Sequence, residues 1–152
     1  MRALVIFLAT GIYAGYVPLV PGTAGAALGL LLGRLLFAPL WQRSATAFLA
    51  LYMGMFLVAC PLAGAAEKIF GEPDSPHIVI DEILGMIAAM FLNPNGWRWL
   101  LGSFVLFRIF DIIKPWPASR LDRLHGGAGV MLDDLASAIY ANLVLQALQR
   151  MV

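Results

Sequence analysis

Asp81, Glu82, Asp111, Asp133 and Asp134 lie in stretches that otherwise read as buried or membrane-embedded helix. They are five of the nine acidic residues in a chain that is 61% hydrophobic and only 12% charged. An unpaired carboxylate in such surroundings is destabilised by several kcal/mol, roughly. Acids kept at such positions mark ion, proton or metal sites, so the three clusters are read as one site.

Each cluster suggests its own chemistry. Ile80-Asp81-Glu82-Ile83 falls early in a predicted helix. Neighbours on a helix point about 100° apart, so one carboxylate can reach a metal while the other caps or supports; both could equally complement the helix dipole. Arg108 and Asp111 are one helical turn apart and can pair. Lys114 follows, just before Pro115-Trp116-Pro117. Two cations beside an acid suit a phosphate held near a metal.

His125-Gly126-Gly127-Ala128-Gly129 precedes Asp133-Asp134. A glycine-rich turn that opens a helix presents backbone N–H groups to an anion, which makes Gly127 a candidate phosphate contact; a plain tight turn is the alternative. A dipole role for Asp133 accounts for one aspartate of the pair and not for both. In Val20-Pro21-Gly22-Thr23-Ala24-Gly25, Thr23 either caps the second helix or touches phosphate.

All these candidate ligands are hard oxygens, and neither histidine has a partner at ligand spacing, which favours Mg²⁺ or Mn²⁺ over Zn²⁺. Basic residues among the acids imply a substrate that carries phosphate, and hence phosphoryl transfer or hydrolysis at a membrane surface. Cys60, the single cysteine, has no basic residue or glycine loop near it in sequence and is not read as a nucleophile. No Asp-x-Asp opens a strand. A water deprotonated by one carboxylate is the favoured attacking group, with an aspartyl-phosphate intermediate as the alternative.

The elements that must position these groups are helical. Residues 3–17 are apolar and end at Pro18 and Pro21, residues 24–40 form a second apolar run broken only by Arg34, and residues 45–66 are uncharged over 22 positions. The last is long enough to span a bilayer, with Pro61 expected to kink or shorten it. Residues 67–77 read as a polar loop in which Asp74 or Ser75 can cap the next helix. Further helices are predicted over about 78–92, 97–113 and 130–149, with a short helix or loop between the last two. Gly25, Gly29 and Gly33 make a smooth face for close helix contact. Trp41, Trp97, Trp99 and Trp116 fall near helix ends, as in an interfacial belt.

The expectation is therefore an all-α, polytopic membrane protein, a compact bundle of about six helices in a single domain over residues 1–152. The mean hydropathy of +0.85 agrees. The net charge of +1, with no basic run, sets nucleic-acid binding aside. The apolar N-terminus resembles a signal peptide but runs on into further apolar sequence without a small-x-small site, so it is read as retained. Nothing in the sequence fixes the oligomeric state.

Four motifs in this order resemble the bacterial phosphatidylglycerophosphatase A family: Val17–Gly25, Ile78–Met86, Phe107–Pro117 and Gly126–Asp134. The resemblance runs from about Gly11 to the last helix. It implies an all-helical, Mg²⁺-dependent lipid phosphatase of the bacterial inner membrane that converts phosphatidylglycerophosphate to phosphatidylglycerol and phosphate. It places the family's acids on Asp81, Glu82, Asp111, Asp133 and Asp134, its basic residues on Arg108 and Lys114, and an Asp-Arg pair on Asp122-Arg123. Ala26 stands where the family usually has serine, and the step from Asp122-Arg123 to Gly126 is one residue short of the usual spacing, which shifts His125.

Taken together, catalysis is assigned to Asp81, Glu82, Asp111, Asp134 and Lys114. Metal binding goes to Glu82, Asp111, Asp133 and Asp134, and phosphate binding to Arg108, Lys114, Thr23, Arg123 and Gly127. Two other readings compete. A CDP-alcohol phosphotransferase-like enzyme is also helical and acid-rich, but needs an Asp-Gly step that this chain lacks. A cation carrier component explains the acids, but not Lys114 or the glycine-rich helix start.

Overall fold

A computed structural model describes residues 1–124 and 126–151. His125 lies outside the described residues. Within them the chain is all-helical, with no strand: α1 (Arg2–Ala9), α2 (Pro21–Leu32), α3 (Ala38–Arg43), α4 (Ala45–Phe70), α5 (Ile80–Ala89), α6 (Trp97–Ile113), α7 (Ala118–Leu121) and α8 (Gly127–Gln149). A π-helical turn over Gly33–Phe37 joins α2 to α3, so Pro21–Arg43 is one long helical segment. Among the described residues, Pro21–Arg43, Ala45–Phe70 and Gly127–Gln149 are the three helices long and apolar enough to cross a membrane. α5, at ten residues, is only about 15 Å long and cannot.

Side-chain size explains how α5 is held. α2 presents Gly25 and Gly29 to it, and Gly33 of the π-helical turn extends the face toward Ile87 and Met90. A Cβ on Gly29 would lie 2.6 Å from the Ile83 carbonyl oxygen, and one on Gly25 2.7 Å from Val79 Cβ. On its other side α5 packs against α8. A Cβ on Gly85 would lie 2.7 Å from the Phe107 ring of α6. The carbonyls that α5 leaves free at its C-terminus find a donor in α8. Asn142 Nδ2 donates to Ala89 O at 3.0 Å and Phe91 O at 2.7 Å, and Asn93 Nδ2 turns back to Ala89 O at 2.8 Å. Irregular backbone at membrane depth is tolerated where protein groups satisfy it.

Several local expectations need correcting. The first apolar stretch does not form one helix. α1 ends at Ala9, and Gly11, Ile12 and Tyr13 all take positive φ. There Ala9 O accepts from Val79 N, and Gly15 O lies 3.0 Å from His77 Nδ1, tying this turn to the segment before α5. α2 starts at Pro21 with Val20 at its cap, so Thr23 sits inside the first turn and does not cap it. α5 starts at Ile80 behind Val79, with neither Asp74 nor Ser75 as cap; Ser75 Oγ donates to Glu72 instead. α4 runs through Pro61 to Phe70 and stops at Gly71, φ +80°. Trp41 is no interfacial residue but is buried edge-on against Phe48 and Phe91, whereas Trp97 and Trp116 are exposed.

Candidate active site

The N-termini of α2, α5 and α8 and the C-terminus of α6 meet at one end of the bundle, and the acids gather there. The first turn of α5 supplies Asp81 and Glu82, while α8 supplies Asp134. One carboxylate oxygen from each of the three lies within 4.8 Å of the other two. Asp81 and Asp134 are buried and Glu82 nearly so. Asp81 Oδ1, Glu82 Oε2, Asp133 Oδ1 and Asp134 Oδ2 are buried without a hydrogen-bond partner among the described residues. Buried oxygens left unpaired are rare and strongly disfavoured. A cluster of them fits a divalent cation that takes oxygen donors.

The other two acids take cations as partners. Arg108 Nη1 donates to Asp111 Oδ2 at 2.5 Å, one turn apart on α6. Glu82 and the Arg108 guanidinium both lie against Gly22, and the Asp111 charge acts on both Glu82 and Asp134. Lys114 Nζ donates to Asp133 Oδ2 at 2.5 Å and to Asp122 Oδ1. Asp133 therefore points to Lys114, while its neighbour Asp134 points to the α5 acids, as adjacent helical positions must diverge. Lys114 ends α6 with φ +47°, a left-handed conformation that a non-glycine residue adopts at an energetic penalty of about 1–3 kcal/mol.

Electrostatics follow from burial. Burial pushes Asp81 well above the usual carboxylate range, and the charges of Glu82 and Asp134 push it further. Burial also raises Glu82, and the Asp111 charge adds to this, against the Arg108 charge that pulls it down. Burial opposes the charge on Lys114, but its hydrogen bonds to Asp122 and Asp133 outweigh that and hold the ammonium above its ordinary range.

The remaining phosphate candidates lie at different distances from this cluster. Arg123 is exposed and lines an outer cavity of about 330 Å³ with Glu67, Asp74 and Asp122. Lys114, through Asp122 and Asp133, links that cavity to the inner acids. Gly127 is buried against α4, where a Cβ would lie 1.8 Å from the Cys60 carbonyl oxygen, so close helix packing explains its lack of a side chain. Thr23 is half-buried in the first turn of α2. Its neighbour Gly22 reaches further in: a Cβ there would lie 2.3 Å from Glu82 Oε1 and 3.1 Å from Arg108 Nη2. The only signal for Gly22 in the sequence is its place just after the proline that opens α2.

Comparison with known proteins shows the family. The family model for phosphatidylglycerophosphatase A matches residues 7–149. A Haemophilus influenzae protein named phosphatidylglycerophosphatase A is 38% identical over 144 residues, covering 93% of this chain and 86% of its own. The Escherichia coli K12 protein of the same name is 38% identical over 135 residues, covering 87% and 76%. A Bacteroides thetaiotaomicron protein provisionally named phosphatidylinositol-3-phosphatase is 34% identical over 151 residues, covering 93% and 91%. No solved structure gives a significant match. With three helices able to cross a bilayer and buried acids converging at one end, the chain belongs to the phosphatidylglycerophosphatase A family, membrane phosphatases that act on a phosphate monoester.

Proposed function

We propose that this protein is an Mg²⁺-dependent lipid phosphatase of the bacterial inner membrane that hydrolyses phosphatidylglycerophosphate to phosphatidylglycerol and phosphate. The observation that carries the reading is the convergence of Asp81, Glu82 and Asp134, with buried oxygens left unpaired, in a chain of this family. Glu82 and Asp134, with Asp81 beside them, would hold the cation, and Asp111 and Asp133 would stand next to it. When bound, Mg²⁺ supplies Lewis-acid neutralisation of the phosphate oxygens.

The residues of the chain do the rest. Arg108, fixed by Asp111, directs its guanidinium at the phosphate, where a planar fork suits two oxygens. Lys114 stays charged and adds a second cation from the side of the outer cavity. Asp81, whose burial raises its basicity, takes a proton on Oδ1 from the attacking water. The water oxygen bonds to phosphorus, the bond from phosphorus to the terminal glycerol oxygen breaks, and that oxygen receives the proton from Asp81.

Phosphate release from phosphatidylglycerophosphate in mixed micelles, with Mg²⁺ and with EDTA, tests this. Release with Mg²⁺ and none with EDTA is expected. Glu82→Gln, Asp111→Asn and Asp134→Asn should each lower turnover about hundredfold or more while the protein stays folded. Near-normal turnover in all three would refute the site. Preferential release from phosphatidylinositol 3-phosphate would instead move the substrate to the one that the Bacteroides relative is named for.

A further inference from the structure

An apolar groove of about 610 Å³ runs between α1, α2, α4 and α5. Its volume is within the usual range for small-molecule sites, about 300–1,000 Å³. Every side chain that lines it is aliphatic, methionine or absent, as at Gly54. A polar ligand would find nothing there to orient it; a hydrocarbon chain needs no such group. The groove and the acid cluster share the first turn of α5. Ile80 and Ile83, which form its α5 wall, bracket Asp81 and Glu82 in a single helical turn. Its α2 wall, Leu28 and Leu32, belongs to the helix whose first turn brings Gly22 against Glu82.

We propose that this groove receives an acyl chain of the phospholipid substrate and so draws the attached headgroup to the first turn of α5. This rests on the lipid phosphatase reading above. Gly54 leaves the groove wide: a Cβ there would meet nothing within 4 Å. A side chain at 54 therefore starts into open space at the groove wall, and it replaces a mid-helix glycine, which by itself favours the helix.

The test compares kcat/KM for dipalmitoyl and dihexanoyl phosphatidylglycerophosphate, using the full chain purified in detergent. The wild type should prefer the long chain. Gly54→Leu, and as a second filler Val58→Trp, should each reduce the long-to-short ratio about tenfold, since each methylene lost from an apolar pocket weakens selection. Leu57→Phe, on the same helix, 65% exposed and outside the groove, should keep the wild-type ratio. An unchanged ratio in both fillers, or a parallel loss on both lipids, would overturn the assignment. So would a dimer of the wild type that Gly54→Leu breaks, because the groove would then hold a second copy. If the wild type releases phosphate from neither lipid, the phosphatase reading itself fails, and the assignment fails with it.

Discussion

Gly22 has no side chain because Glu82 and Arg108 occupy the space where one would stand. A methyl group there meets the far end of two flexible side chains and no backbone, so the helix can accept it while the carboxylate and guanidinium must shift. Alanine also has a helix propensity better than glycine by about 1 kcal/mol. Gly22→Ala should therefore leave the melting temperature unchanged or raised, while turnover falls at least about tenfold through displaced charges. A variant that melts early would place Gly22 in the packing and not in the site. Gly127 is the contrasting case, because its missing Cβ faces the α4 backbone, which cannot yield.

α5 is the element that makes the site possible, and it is short. Its first turn carries Asp81 and Glu82, and its last carbonyls end inside the protein, where Asn142 of α8 answers them. Asn142→Leu would remove both bonds, leaving Ala89 O to Asn93 Nδ2 and Phe91 O with only the 3.5 Å contact of Gln146 Nε2, at about 1–3 kcal/mol. The expected result is a clearly lower melting temperature in detergent; an unchanged one would mean that water or lipid headgroups reach the end of α5. The Trp97–Ile113 helix was legible from Gly96 before it and Pro115 after it. The candidate site was legible as three acidic clusters because acids in apolar helices have few other reasons to be there. The break after Ala9 was not, since Val79 and His77, distant in sequence, fix it. Nor could the sequence separate Asp133, which turns to Lys114, from Asp134, which joins Asp81 and Glu82. The stop of α4 at Gly71 was a glycine signal available to be read, and the polar loop around it obscured it.

At the scale of the whole molecule, the protein gathers negative charge in its driest part. A carboxyl whose folded pKa lies above its unfolded value stabilises the fold below the unfolded pKa, and that stability is lost as pH rises through the folded pKa. Asp81 and Glu82 are both raised. The metal-free protein should therefore lose melting temperature as pH rises from about 5 to about 8. Mg²⁺ competes with protons for the same oxygens, so its stabilising effect should be larger at the upper end of that range. An equal or larger effect at the acid end would place Mg²⁺ elsewhere.

The most direct measurement is Mn²⁺ binding to the purified protein, followed by the paramagnetic resonance of the free ion. The wild type should take up Mn²⁺ saturably. Glu82→Gln and Asp134→Asn should bind it at least about tenfold more weakly, and Glu72→Gln, on the exposed loop after α4, should bind as the wild type does. Saturable binding that survives in both acid variants, or no saturable binding by the wild type, would contradict a shared cation site at Asp81, Glu82 and Asp134.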